Sequence, residues 1–212
     1  MDIIINIFKS IVEFFYEFTG DYGVAIVLLT VTVKIFMLPF SIKQRIAMKK
    51  QIAFSKKIED AKFKYKSNKN KQEEALNKIY AEKSNGLLGC ILPILQLPII
   101  SGLYMSINRL QLEAMSILVP WAINIGNTDE KFLVPIIYTL VTIAPNIISY
   151  FEIFDKEEKP ANIKSILPMI IMGLLITVKT PIALGIYFVT SALFNLIEEI
   201  GFKIYSRNRV IS

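Results

Sequence analysis

Apolar and charged residues are sorted into long blocks along this chain. Five stretches read as membrane spans: Tyr22 to Ile42, Leu87 to Ile107, Phe132 to Phe151, Ile163 to Val178 and Ile182 to Ile197. The second and third hold no charged residue over 21 and 20 positions. At ~1.5 Å per residue each can cross the ~30 Å hydrocarbon core of a bilayer. The fourth is shorter, with only the 13 residues Ile166 to Val178 uncharged. That is about 20 Å of helix, so either the bilayer thins there or Lys164 and Lys179 snorkel outward.

Ahead of the first span, Asp2, Asn6, Lys9, Ser10, Glu13 and Glu17 recur at helical spacing, with Ile4, Ile7, Phe8, Ile11, Phe14, Phe15 and Phe18 on the other side. The pattern predicts an amphipathic interfacial helix over 1–19. It does not read as a signal peptide, because its start carries Asp2 and its apolar run is broken by Lys9 and Glu13. Gly20-Asp21-Tyr22-Gly23 supplies a turn into the first span. The segment 43–84 is different in kind. Rich in helix formers and free of proline and glycine up to Lys83, it has a polar break at Lys66-Ser67-Asn68-Lys69-Asn70. Met48, Ile52, Ile58, Ala61 and Tyr65 before the break, with Ala75, Leu76 and Ile79 after it, predict the thin seam of an antiparallel helical hairpin. A solvated charged linker is the alternative.

Composition agrees with this segregation: 53% of the 212 residues are hydrophobic while 20% are charged. Five spans with their connections use nearly the whole length, so one domain is expected. The net charge of +6 would be compatible with nucleic acid on a soluble fold, but here the cations cluster. Thirteen Lys/Arg against five Asp/Glu lie between Lys43 and Lys83, a surplus larger than that of the whole chain. A membrane surface, ribosomal RNA or cytoplasmic retention would each account for the cluster, and no direct DNA binding is expected. Counting by side, 43–83, Lys156 to Lys164 and the tail 203–212 hold thirteen, three and three Lys/Arg; the other side holds Lys9, Arg109, Lys131 and Lys179. The positive-inside rule puts the first side in the cytoplasm, with the N-terminus outside and the C-terminus inside. The fold expected is an all-α membrane protein with an interfacial helix, five transmembrane helices and a cytoplasmic hairpin between the first two.

With no histidine and one cysteine, Cys90 in an apolar run, the usual zinc and iron sites and Ser/His or Cys/His nucleophilic catalysis are excluded. No enzymatic activity, cofactor or metal is expected. The chemistry that stands out is Lys34. It is nine residues from Lys43, ~14 Å along the helix from the basic boundary and beyond comfortable snorkelling. An ionisable residue at such depth is a functional candidate.

Lys34 also lies on a polar face. Thr30, Lys34 and Ser41 share one side of the first span; Pro135, Thr139, Thr142, Asn146 and Ser149 share one side of the third; Tyr187, Ser191, Asn195 and Glu198 do so in the fifth. Each stripe alone fits ordinary hydrogen bonding between helices. Three stripes with a buried cation point to a hydrated groove, to which Gln96 in the second span adds a polar wall. No Asp or Glu lies inside any span, which argues against a proton relay or cation transporter and suits a site awaiting an acidic group from elsewhere.

The run from Gly23 to Gln44 around Lys34, Pro39 and Lys43, then Cys90-Ile-Leu-Pro93-Ile-Leu-Gln96-Leu-Pro98 to Tyr104, and Ile186-Tyr187-Phe188-Val189-Thr190-Ser191 resemble the YidC/Oxa/Alb membrane insertase family across nearly the whole chain. That resemblance implies a protein that inserts and chaperones other membrane proteins through a hydrophilic groove open to the cytoplasm and to lipid, without nucleotide hydrolysis. It implies that Lys34 occupies the position of the family's groove arginine, that Gln96 is a polar groove residue, and that Tyr187 and Phe188 lie on the substrate's exit route. The expected groove is Lys34, Thr30, Gln96, Thr139, Thr142, Asn146, Tyr187, Phe188, Ser191 and Asn195. Lysine keeps the charge of arginine but not its planar fork. The expected partners are nascent membrane proteins and the lipid bilayer, with the Sec translocon, the signal recognition particle receptor and the ribosome as further candidates. The resemblance implies the plasma membrane of a bacterium, in the compact form without a large extracytoplasmic domain. A small channel or transporter using the same polar cavity is the competing reading.

Overall fold

A computed structural model describes residues 2–66, 68–81, 88–110, 114–150 and 163–210. Seven helices follow in order: α1 (Asp2–Thr19), α2 (Tyr22–Lys64), α3 (Lys69–Ala81), α4 (Leu88–Leu110), α5 (Leu133–Tyr150), α6 (Ile163–Val178) and α7 (Ile182–Val210). Among the described residues the only β pairing is an isolated bridge between Thr128 and Pro181. The chain divides into two units, Met1–Phe36 with Ile100–Ser212, and Met37–Ile99. Expectations for Glu82 and Lys83, for the side chains of Cys90, Pro93, Arg109, Ser149, Arg207 and Arg209, and for the connection from Phe151 to Asn162 lie outside the described residues.

In the first unit, α1 stops where the sequence supplies a left-handed residue. Gly20 has φ 71° and its N–H donates to the Tyr16 carbonyl at 2.7 Å, closing the helix as a C′ glycine does. The next residue starts α2. The Asp21 carboxylate accepts from the Val24 amide at 3.0 Å, an N-cap that satisfies one orphan donor of the first turn. Tyr16 and Tyr22 stack across the junction with centroids 3.9 Å apart.

The interior of this unit lies around α5, which packs on both α6 and α7. Glycine allows the closest approach. A Cβ on Gly185 would stand 2.6 Å from Val134 Cγ1, so a larger residue there would push α7 off α5. Apolar side chains such as Ile26, Leu29, Leu103 and Ile125 are fully buried. Others, including Phe36, Leu140 and Leu175, are exposed. The face of α1 with Ile7, Phe14 and Phe18 is open, Phe18 at 86% exposure, while Val12, which the amphipathic pattern left off the apolar face, is buried.

In the second unit, α2 runs on from Met37 to Lys64 through Pro39, with no break at Ile42. Hydropathy marks where the surroundings of a helix change, whereas the backbone ladder needs only helix-forming residues, and Lys43 to Lys64 supply them. After the turn, Gln72 Nε2 of α3 donates to the Lys62 carbonyl at 3.0 Å, and Phe54 meets Tyr80 edge to face at 6.1 Å. Of the residues expected in a seam, Ala61 is buried and Ile58, Tyr65, Ala75, Leu76 and Ile79 are half-buried, while Met48 and Ile52 are exposed.

The last helix also outruns its expected end, continuing past Ile197 through the basic tail to Val210. Glu199 and Lys203, one turn apart at 3.4 Å, support the extension with an i,i+4 ion pair. Among the described residues two helices have apolar windows long enough to cross a bilayer, within Tyr22–Lys64 and Ile182–Tyr205; Gln96–Ile107, Leu133–Ile147 and Ile166–Val178 are shorter apolar stretches.

Candidate functional site

Lys34 is buried, 7% exposed, on the part of α2 that belongs to the first unit. Its ammonium donates to the amide oxygen of Asn195 on α7 at 3.0 Å. The pair joins two helices distant in sequence and gives the cation a charge-assisted hydrogen bond within the protein. Burial of an ammonium is costly without such acceptors. Asn195 is exposed and Ser191, one turn before it, is buried.

The threonines of the predicted stripes spend their protons locally. Thr30 Oγ1 donates to the Ile26 carbonyl at 2.6 Å, Thr139 to Pro135 at 2.8 Å and Thr142 to Tyr138 at 2.8 Å, each four residues back along its own helix. Such back-bonding lets a hydroxyl sit in an apolar setting and leaves its lone pairs as acceptors. Among the described residues no fully buried side-chain nitrogen or oxygen lacks a partner.

The structure brings together part of the expected set. Lys34 and Asn195 meet directly. On α5, Thr139 Oγ1 lies 3.3 Å from where a Cβ of Gly173 would stand, and Asn146 Nδ2 donates to Met169 Sδ at 3.6 Å, so both look toward α6. Thr142 is half-buried, as is Gln96, which belongs to the second unit. Tyr187 is buried at 3% exposure, and its ring lies 5.6 Å from Phe188. Phe188 lies 5.6 Å from Tyr138 of α5. This aromatic cluster includes a residue that periodicity missed, because Tyr138 is next to the polar stripe of α5 rather than on it.

Sequence reading also missed two carboxylates that organise the loop before α5. Asp21 accepts from Ser116 Oγ at 2.7 Å and from the Ile117 amide at 2.8 Å. Burial raises its pKa, but the hydrogen bonds from Ile117, Val24, Ser116 and Gly23 outweigh burial and hold it below the ordinary value of 3.8. Asp129 is buried and accepts from the Val134 amide at 2.7 Å, the Lys131 amide at 3.1 Å and Trp121 Nε1 at 3.2 Å. The signal available was an acidic residue just ahead of each apolar run, the N-cap pattern.

Known proteins are similar to this chain over most of its length. A protein called membrane protein insertase YidC from Caldanaerobacter subterraneus is 32% identical over 191 residues, covering 90% of this chain and 89% of the relative. Membrane protein insertase YidC 2 of Listeria innocua is 29% identical over 188 residues, 86% of this chain and 64% of that one. For the YidC of Helicobacter pylori the match is 26% over 197 residues, only 34% of its length. A crystal structure described as an active YidC insertase with the first transmembrane domain resolved superposes with a TM-score of 0.62 at 26% identity, covering 91% of this chain and 45% of that chain. The family model of the 60Kd inner membrane protein matches residues 14–208, a range that holds Lys34, Asn195 and the aromatic cluster between α5 and α7, and the chain belongs to that family of YidC-type membrane proteins.

Proposed function

We infer that this chain is a membrane protein insertase and chaperone, and that Lys34 is the residue that receives the polar part of its substrate. Family membership supports the activity. The single observation that carries the role of Lys34 is its burial with an amide oxygen, from Asn195, on its ammonium. An amide oxygen is a weaker acceptor for a cation than a carboxylate. The buried ammonium offers a fixed positive charge to an acidic segment of substrate entering from the cytoplasm.

The proposed groove of the first unit comprises Lys34, Thr30, Thr139, Thr142, Asn146, Ser191 and Asn195, with Tyr187 and Phe188 along the exit of the apolar segment; Gln96 is a polar candidate of the second unit. The threonine oxygens, their protons already committed, accept hydrogen bonds from water or substrate amides. A hydrated groove shortens the hydrocarbon that a polar segment must cross, where each unpaired amide costs roughly 2–7 kcal/mol. Transfer of the substrate's apolar segment into lipid, at ~25 cal/mol per Å², drives net insertion without nucleotide hydrolysis.

In this reading the five spans are the first part of α2, then α4, α5, α6 and the first part of α7, in a bacterial plasma membrane with the N-terminus outside and the C-terminus in the cytoplasm. The basic remainder of α2 with α3 forms a cytoplasmic hairpin that meets incoming substrate or the targeting machinery. The Sec translocon, the signal recognition particle receptor and the ribosome are the candidate partners at this end.

Complementation of an insertase-depleted bacterium tests the function, and variants of Lys34 test the site. Lys34→Glu is expected to lower insertion of substrates with acidic N-terminal tails about tenfold, equivalent to ~1.4 kcal/mol, while Lys34→Arg retains it and neutral tails change little. Equal insertion of acidic tails by Lys34→Glu and wild type would discard the electrostatic role.

A further inference from the structure

The fifteen residues Ala114–Thr128 contain no charged side chain, yet they form no helix. Val119 and Ile125 are buried, but four other large apolar groups point outward. Ile117 is 77% and Ile123 85% exposed, and Met115 and Leu118 are also exposed. An uncharged loop carrying four exposed large apolar side chains is not an ordinary aqueous connection.

The backbone is unusual in the same direction. Val119, Ala122 and Asn127 donate their amides to the carbonyls of Ser116, Val119 and Asn124, and Ile125 donates to Ala114 across the loop. Ile117 donates to the Asp21 carboxylate, Leu118 to Ser116 Oγ and Gly126 to Asn124 Oδ1. Pro120 has no N–H to place. Irregular backbone is excluded from lipid because its polar groups go unpaired, and here seven amides between Ile117 and Asn127 are already satisfied by the protein.

Its attachments set its level. The Asp21 carboxylate that binds Ser116 and Ile117 also caps α2, and the carbonyls of Asn127 and Ile125 accept from Ile182 and Ala183, the first residues of α7, at 2.8 Å each. The loop is therefore fixed to the starting ends of the two helices whose apolar windows can cross a bilayer. At that same end α1, joined to α2 through Gly20 and Asp21, leaves Phe14 and Phe18 open. Trp121, the only tryptophan of the chain, is half-buried in this loop with its indole N–H on Asp129, the amphipathic placement that aromatic residues take at a lipid headgroup boundary.

We propose that the loop Ala114–Thr128 is a preformed phospholipid-binding surface: Ile117, Leu118 and Ile123 insert among the acyl chains at the bilayer face where α2 and α7 begin, and Trp121 sits at headgroup depth. The occupant is the phospholipid interface, because the surface carries no charge to select a protein partner and is continuous in level with the open aromatic face of α1. The proposal rests on the membrane reading of the chain but not on insertase activity.

The native tryptophan reports directly. The full chain is reconstituted in phosphatidylcholine and phosphatidylglycerol vesicles whose acyl chains carry bromines either near the glycerol end or near the terminal methyl. Trp121 emission is expected to be blue-shifted, quenched more by the shallow bromines than by the deep ones, and little affected by aqueous iodide. Ile117→Asn with Ile123→Asn, both at exposed positions, is expected to reduce the bromine quenching and admit iodide. Quenching by iodide without quenching by bromine would overturn the proposal and leave the surface to a protein partner. Unchanged bromine quenching in the double variant would overturn it too, by showing that Trp121 meets lipid without the loop's apolar tip. Carbonate-resistant flotation separates the two levels: a chain that does not float overturns the membrane reading together with the proposal, while one that floats with an aqueous Trp121 overturns the loop alone.

Discussion

Lys34 and Asn195 show how one side chain defines the chemistry available to another. The amide oxygen of Asn195, 3.0 Å from the Lys34 ammonium, is one of the contacts that hold the cation in position. Asn195→Asp would put a carboxylate in the same place, an internal competitor for acidic substrate tails. Insertion of acidic-tailed substrates is then expected to fall about tenfold, or ~1.4 kcal/mol, with neutral-tailed substrates unaffected, as measured by protease protection of the inserted tail in vesicles. Equal loss for both substrate classes would indicate that Asn195 supports only the fold. The pairing was within reach of the sequence. Lys34 stands twelve residues beyond Tyr22, and Asn195 thirteen beyond Ile182. Along their helices these offsets are ~18 and ~20 Å, nearly equal if both helices are spans that start at the same face, as proposed. The stripes gave each residue its face; matching depths would have given the pair.

At the scale of elements, stability depends on how closely helices approach and how their ends are capped. Gly185 allows α7 to lie on Val134 of α5. Gly185→Ala is expected to destabilise the fold by about 1–3 kcal/mol through overpacking, and Val134→Ala in the same chain is expected to recover most of that loss in thermal melts in detergent. Asp21 caps α2 and ties down the loop, so Asp21→Ala is expected to cost ~1 kcal/mol at neutral pH. The pH dependence follows from the direction of its pKa shift. Because the folded-state value lies below the ordinary 3.8, the stabilisation is fully present above that value and is lost as pH falls through the lower folded value. The melting difference between wild type and Asp21→Ala should therefore shrink on acidification below pH 3.8 and stay constant above it.

The whole chain joins an apolar unit to a basic one. The segment Lys43 to Lys83 carries most of the positive charge, and in the second unit Phe54 and Tyr80 hold its two helices against each other. Deleting Ala53 to Tyr80 is expected to leave topology intact, because Lys43, Arg45, Lys49 and Lys50 remain at the basic side. Insertion is expected to fall several-fold, as appropriate for the loss of a surface that meets substrate. Reporter fusions on either side of the spans and a substrate-insertion assay separate these effects, and unchanged insertion would leave the hairpin as a topology anchor only.

What the sequence determined by itself is the helical class and the family, because helix periodicity is a local property, and burial of charge in lipid is costly enough to make Lys34 conspicuous as a candidate. The helix bounds of α6 were also legible, since Ile163 and Val178 are bracketed by charge and turn residues. The ends of α2 and α7 are not marked by hydropathy, because a change of surroundings along a helix does not interrupt its backbone ladder. Only the tertiary structure decided that Asn195 receives Lys34, that Thr139 and Asn146 look toward α6, and that an uncharged loop is fastened to two helix starts by Asp21 and by carbonyls of its own. These depend on which helix faces which, and on hydrogen bonds between residues as far apart as 161 positions, for which periodicity within one helix carries no information.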